Sequence, residues 1–85
     1  MPELKLLDEV ADVVRSAAKI RADVPVAPES HFVDDLAIDS LDLVGVFLQV
    51  QDHFDLAIDD DDLPTLLRVS DLARYVAESR AAAAA

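Results

Sequence analysis

The sequence predicts an all-α fold: a small four-helix bundle with a short third helix and a long loop between helices 1 and 2. Its 85 residues are enough for one small core. Hydrophobic residues make up 53% of the chain, and they recur at steps of three and four rather than in strand-like alternation. The chain has one glycine and no cysteine, which favours helices and excludes a disulfide scaffold, thiolate catalysis and Cys-based zinc sites.

The first predicted helix starts at Pro2, which suits a first turn, and runs for about five turns until Asp23 and Pro25 stop it. Its apolar stripe consists of Leu4, Leu7, Val10, Val13, Val14, Ala17 and Ile20. Residues 22–39 then form a connection of a length that is commonly functional in so small a domain. The side chains that can pin this loop onto the core are Val24, Val26, Phe32, Leu36 and Ile38.

The second helix is predicted from about Ser40 to Phe54, and the short third helix near Asp60 to Leu67. Because Pro64 has no amide hydrogen, the third helix must be irregular or begin late. The fourth helix is predicted from about Ser70 to Ser79, with its first residue as the N-cap. Residues 1–80 then make up the domain, and the alanine tail 81–85 has nothing to pack against and is expected to fray.

The net charge of −11 is concentrated in one block of the chain. Residues 23–62 contain twelve acidic residues and no lysine or arginine. Such a block repels nucleic acid and anionic lipid, and it favours proteins with basic docking patches as partners. No segment is long and apolar enough for a membrane span, and the N-terminus lacks the apolar core of a signal peptide. The sequence therefore predicts a cytoplasmic monomer that neither inserts into membranes nor binds nucleic acid.

The acidic block is centred on the segment Asp39-Ser40-Leu41-Asp42, at the predicted start of the second helix. A serine at such a junction is usually an N-cap, for purely structural reasons. Here Asp39 can supply the cap and leave the Ser40 hydroxyl free. An anion added to that hydroxyl would lie at the positive end of the helix macrodipole, where it is tolerated.

This segment follows a pinned loop and precedes an apolar-rich helix, and in that setting it resembles the Asp-Ser-Leu-Asp motif of the acyl carrier proteins. The resemblance runs from about Leu4 to Val76. It implies that a phosphopantetheinyl transferase attaches 4′-phosphopantetheine from coenzyme A to Ser40. The thiol at the end of this flexible group, called the arm below, would carry acyl groups as thioesters. It would deliver them between loading and processing enzymes of fatty-acid-like or specialised, polyketide-type biosynthesis. The resemblance implies a carrier and not an enzyme.

The second helix carries more apolar residues than a core face can use. Leu43, Val46, Phe47, Val50 and Phe54 form a stripe that should face the bundle, and Leu41, Val44 and Leu48 form a neighbouring stripe that starts beside Ser40. A small bundle cannot bury a helix all round, although each residue of the second stripe could merely flank the core. In the family this face docks partner enzymes, which implies docking roles for Asp39, Leu41, Asp42, Val44 and Leu48.

If the fold buries the acyl group, the pocket that holds it is expected between the second and third helices. Gly45 removes a side chain from the second helix and Pro64 weakens the third, so these two helices should separate most easily. The predicted lining consists of Val46, Phe47, Val50, Ile58, Leu63 and Leu66.

Two alternatives to the acyl carrier stay open. One is a helical protein-binding adaptor in which Ser40 is not modified, and the other is a carrier of aminoacyl groups. The sequence departs from the usual fatty-acid carriers at Ala37, Gly45, Gln49, Gln51 and His53, which favours a specialised pathway.

The remaining polar residues predict neither a catalytic nor a metal site. The four aspartates 59–62 fail the EF-hand pattern, because the loop has no glycine and Ser70 occupies the position of the bidentate glutamate. His31 and His53 stand without the acid and nucleophile pattern of a hydrolase, and His53 suits the C-terminal end of a helix dipole.

Overall fold

A computed structural model describes residues 2–21 and 23–84. Its helices are α1 (Pro2–Ala17), α2 (Ser40–Phe54) and α3 (Val69–Ala84), and a 3-10 turn spans Leu63–Thr65. α1 packs against both other helices, and the loops contribute side chains to the same core. The part of the chain that is described contains no β-strand beyond an isolated bridge between His31 and Arg68, so the all-α prediction is confirmed.

The predicted four-helix bundle is not confirmed, because the third helix is reduced to the turn Leu63–Thr65. Backbone hydrogen bonds in this region span three residues rather than four: Asp62 N donates to Asp59 O, Thr65 N to Asp62 O, and Leu66 N to Leu63 O. This is the tight 3-10 pattern, which is found in short pieces. Pro64 near the start of the turn and the run of like charges before it oppose extension into an α-helix.

α1 ends at Ala17, three residues before the predicted apolar stripe ends at Ile20. The reason is a Schellman motif. Lys19 takes a left-handed conformation with φ of 55° and donates to Ser16 O at 3.3 Å, while Ile20 N donates to Arg15 O at 2.9 Å. The Arg15 guanidinium then donates to the carbonyl oxygens of Arg21 and Val24 at 2.7 and 2.8 Å, which fastens the start of the long loop.

α2 has the predicted bounds, and its core stripe faces inwards as predicted. Val46, Phe47, Val50 and Phe54 are buried, and Leu43 is half-buried against them. Gly45 does not loosen this core, contrary to the expectation from sequence. A Cβ built on Gly45 would meet no atom within 4 Å, so the glycine lies on the outer side of the helix.

α3 begins at Val69, and the prediction that Ser70 is its N-cap is wrong. Ser70 is the second residue of the helix, and its amide donates to Pro28 O at 2.8 Å. The acceptor at this helix start is Asp71, whose Oδ2 takes hydrogen bonds from Leu67 N and Arg68 N at 3.3 and 3.0 Å.

The helix continues past the predicted end at Ser79 as far as Ala84, because alanine has the highest helix propensity. Fraying of the alanine tail stays a prediction, and its last residue, Ala85, lies outside the described residues.

The long loop is fixed to the core as the sequence predicted. Phe32, Leu36 and Ile38 are buried, and Val24 and Val26 are half-buried. The loop is also hydrogen-bonded to the segment before α3, where Phe32 N donates to Leu67 O at 3.0 Å and Val69 N donates to Ser30 O at 3.1 Å. The loop that precedes α2 is therefore an ordered part of the fold.

Candidate functional site

Ser40 is the first residue of α2, and its side chain is exposed. Asp39 before it is the N-cap by position, with extended backbone angles of φ −64° and ψ 151°, and its carbonyl oxygen accepts from Leu43 N at 2.8 Å. The Asp39 side chain makes no capping hydrogen bond, which corrects the expectation that it would. The Ser40 hydroxyl makes a 3.5 Å contact with Asp39 Oδ1, at the outer limit of a hydrogen bond. The hydroxyl is therefore accessible at the surface.

The loop before Ser40 ends in a compact turn over residues 31–38. Asp35 N and Leu36 N both donate to His31 O at 3.0 Å. The turn ends at Ala37, which is left-handed with φ of 54° and donates to Val33 O at 3.1 Å. Ile38 is buried directly after it, two residues before Ser40. The position of the hydroxyl is thus set from the loop side as well as by α2.

The surface around Ser40 carries negative charge. Asp39 and Asp42 flank it, and both side chains are exposed. Residues 23–62, which include the whole of α2, contain no lysine or arginine to neutralise them. The site consequently favours an approaching surface that is positively charged.

An apolar stripe extends from Ser40 along the outside of α2. Leu41, Val44 and Leu48 are 80%, 55% and 60% exposed, and their spacing places them on one face of the helix. Gly45 lies on the same face and leaves a gap among these side chains. The sequence prediction that part of this second stripe remains at the surface is confirmed, since all three side chains are exposed, while its role in docking stays a prediction.

Two further exposed apolar side chains were missed by the sequence analysis. Val33 and Leu67 are each 51% exposed, and the hydrogen bond between Phe32 N and Leu67 O brings their two segments together. Both lie in irregular segments with no apolar period, so no pattern in the sequence distinguishes them from residues that pack inwards.

The six residues predicted to line an acyl pocket belong to the packed core. Val46, Phe47, Val50, Ile58 and Leu66 are buried and Leu63 is half-buried. A cavity of about 400 Å³ lies elsewhere, between α1 and α3, with Leu6, Leu7, Ala73 and Ala77 in its wall. An acyl pocket between α2 and the 3-10 turn would require the core side chains to move apart, and it stays a prediction.

The other polar clusters have structural partners. Within residues 2–21 and 23–84, no group of three or more acidic or histidine side chains is arranged to hold a metal ion. In the aspartate run, Asp59 Oδ1 accepts from Asp61 N at 3.2 Å, and Asp59 N donates to the Tyr75 hydroxyl at 3.1 Å. His53 contacts Glu9 Oε2 on α1 at 3.1 Å and the ring of Phe54, so it links two helices.

Comparison with known proteins bears directly on this site. The family model described as the phosphopantetheine attachment site matches residues 8–76. The acyl carrier protein of Thermobifida fusca is 40% identical over 74 residues, which cover 87% of this chain and 92% of that protein. The acyl carrier protein of Brachyspira hyodysenteriae is 32% identical over 77 residues, or 91% of this chain and 99% of that protein. An acyl carrier protein of Nitratidesulfovibrio vulgaris is 42% identical over 55 residues, or 65% of this chain and 72% of that protein.

Replacing Ala37 with glycine should stabilise the loop that leads to Ser40. The left-handed conformation costs alanine about 1–2 kcal/mol, and glycine avoids this cost. Glycine also makes the unfolded chain more flexible, which lowers the stability of the folded protein by about 0.4–1 kcal/mol. Ala37→Gly should therefore raise the free energy of unfolding in urea by about 0.5 kcal/mol. Ala57→Gly is the matched control: Ala57 is also exposed in a loop but has no positive φ, so its replacement should lower stability. Equal losses for both variants would contradict the assigned conformation of Ala37.

Proposed function

The chain belongs to the acyl carrier protein family, and we propose that Ser40 is the residue that bears its 4′-phosphopantetheine arm. Members of this family carry that group covalently and act as carriers, not as enzymes. The observation that supports the assignment is the exposed Ser40 hydroxyl, which has only a 3.5 Å contact with Asp39 and lies at the start of α2. Of the other serines, Ser30 is buried, Ser70 and Ser79 are half-buried inside α3, and Ser16 is exposed but lies in the interior of α1, so none of them is an exposed serine at a helix start.

The residues at the site suit a phosphate ester. A phosphodiester on Ser40 Oγ would lie beside the first amides of α2, where the helix macrodipole favours negative charge. Attachment joins Ser40 Oγ to a phosphorus of coenzyme A and breaks the diphosphate bond. Adenosine 3′,5′-bisphosphate leaves, and the hydroxyl proton passes to the transferase. The arm supplies a thiol on a long flexible tether, and the protein's own part is to present Oγ and dock its partners.

Partner docking is assigned to the outer face of α2. Leu41, Val44 and Leu48 supply an apolar strip next to Ser40, and Asp39 and Asp42 supply charges for basic residues of a transferase or an acyl-processing enzyme. Such a small interface suits exchangeable binding, in which each partner is held briefly and released. While a partner is docked, the tether keeps the thioester at a high effective concentration in that partner's active site.

The pathway is proposed as fatty-acid-like or specialised, polyketide-type biosynthesis in the cytoplasm, with the specialised pathway favoured and the carrier acting as a monomer. Gly45 and Gln49 lie on or beside the outer face of α2 and carry no charge, which separates this surface from one that is acidic throughout. A partner with a fully basic groove would fit it less well than one that combines basic and apolar contacts.

The cargo is proposed to be a short acyl group. Burying it between α2 and the 3-10 turn would displace side chains such as Ile58 and Leu66, which are now in the packed core. The turn is the element that can yield most readily, since it is short and Leu63 is already half-buried. A group that never enters the core would instead stay exposed on the arm.

The attachment site can be tested by mass spectrometry. Incubation of the purified protein with coenzyme A and a broad-specificity phosphopantetheinyl transferase should add one phosphopantetheinyl group, and Ser40→Ala should abolish the addition completely. Ser16→Ala, at an exposed serine of α1, is the control and should be modified like the wild type. A wild-type mass that stays unchanged with several transferases would favour the unmodified adaptor instead. Loading of the modified arm with acyl or aminoacyl substrates separates the two carrier alternatives.

Docking can be tested by a charge reversal and an apolar-to-acidic substitution on α2, with a charge reversal on α1 as the control. Asp42→Lys and Val44→Asp should each slow arm attachment by about fivefold or more, because they disturb the charge and the apolar strip of α2. Asp12→Lys changes the net charge by the same amount as Asp42→Lys but lies on α1, so it should change the rate little. Circular dichroism checks that all three variants keep the helical fold. If Asp12→Lys were as damaging as Asp42→Lys, docking would depend on total charge and not on the face of α2.

A further inference from the structure

The imidazole of His31 closes the turn that precedes α2. Its Nδ1 accepts hydrogen bonds from two backbone amides, Val33 N and Asp34 N, each at 3.1 Å. The Asp35 carboxylate completes the arrangement from the other side by accepting from His31 N at 2.7 Å. An amide of residue i+2 or i+3 that donates to the side chain of residue i is the N-cap pattern, with imidazole here in place of the usual oxygen.

This arrangement requires His31 to be neutral. Backbone N–H groups can only donate, so Nδ1 must have a free lone pair and the ring proton must be on Nε2. A proton on Nδ1 would remove the acceptor for Val33 N and Asp34 N. The new N–H group would also point at these two N–H groups and repel them. The side chain of His31 is only 18% exposed, so water compensates these amides incompletely.

The turn that His31 caps leads directly to Ser40. Phe32, next to His31, is buried, and its carbonyl oxygen accepts from Ile38 N at 2.9 Å. Asp39 and Ser40 follow at once. We propose that His31 is a positioning residue for arm attachment: as a neutral Nδ1 acceptor it holds the turn that presents Ser40, and a proton on Nδ1 opens the turn and slows attachment. This inference rests on the proposed function of Ser40.

The charges around His31 do not substitute for the lost acceptor. Asp34 Oδ2 is 3.9 Å from Nδ1, and Asp35 is bonded to the His31 amide. Arg68 pairs with His31 and donates to Glu29 O at 2.7 Å, and Asp71, in the first turn of α3, accepts the amide of Arg68. Protonation would create an ion pair with Asp34, but that carboxylate is 79% exposed, and an exposed pair of this kind contributes little. It would also leave Val33 N and Asp34 N without a partner.

The test compares the rate of arm attachment to wild type and His31→Asn between about pH 5.5 and 8, the range in which imidazole changes its charge. Asparagine places an oxygen acceptor where Nδ1 now lies, and it does not titrate. The wild-type rate divided by the His31→Asn rate cancels the transferase's own pH dependence. This ratio should be near one at the alkaline end and fall by about twofold to fivefold at the acidic end. The upper figure is the factor that corresponds to the loss of one helix cap, about 1 kcal/mol. His31→Leu, which has no acceptor, should be slow throughout.

Two further measurements make the outcome decisive. His53→Asn removes the other imidazole and should keep the wild-type pH profile. Nitrogen-15 NMR of the unmodified wild type should show the Nε2–H tautomer at His31. A ratio that stays constant with pH, or a proton on Nδ1 of the neutral ring, overturns the inference even though Ser40 is modified. If the wild type takes up no arm at any pH, the proposed function itself fails and the role of His31 fails with it.

Discussion

Burial of Phe32 is the interaction on which the rest of the structure depends. Phe32 lies in the middle of the connection between α1 and α2 and is 1% exposed. Its ring packs edge-on against the ring of Phe47 in α2, with 6.0 Å between the ring centroids. Its amide is bonded to Leu67 O and its carbonyl to Ile38 N, so one residue joins the loop, α2 and the segment before α3. Burying a phenylalanine contributes about 1.5–3 kcal/mol, whereas ordering each loop residue costs about 1–2 kcal/mol. Phe32 alone therefore cannot order the loop, and Leu36 and Ile38, which are also buried, add further anchors.

This constraint has a functional consequence. An ordered loop on one side and α2 on the other hold Ser40 between two fixed elements, while its hydroxyl makes only one long contact. The helix presents its core stripe inwards and Leu41, Val44 and Leu48 outwards, so the same fifteen residues stabilise the fold and leave an apolar strip at the surface, where docking is proposed. A carrier needs this division, because it must stay folded while partners bind and leave in succession.

The sequence was sufficient where a pattern maps directly onto a physical cause. The bounds of α2, its two faces and the anchoring of the loop follow from apolar spacing and from the placement of Phe32 and Ile38. Family motifs placed Ser40 at the helix start. The errors lie where local backbone chemistry decides: the left-handed Lys19 ends α1 early, and the Asp71 carboxylate, not Ser70, is the side-chain acceptor at the start of α3. The irregularity expected at Pro64 is found, but as a 3-10 turn and not as a further helix. The hydrogen bonds of His31 could not be foreseen, since histidine is not among the preferred N-cap residues.

If Phe32 is the main anchor, the loop before α2 is held as firmly as the helix it precedes. Amide hydrogen exchange of the unmodified protein tests this most directly, with the amides of Phe32 and Ile38 compared with that of Val50 in α2. If Phe32 anchors the loop, its amide and that of Ile38 should exchange within about tenfold of the rate of Val50, because opening them requires the core to open. Exchange of both loop amides at the rate of an unstructured peptide, while Val50 stays protected, would show that Phe32 does not anchor the loop.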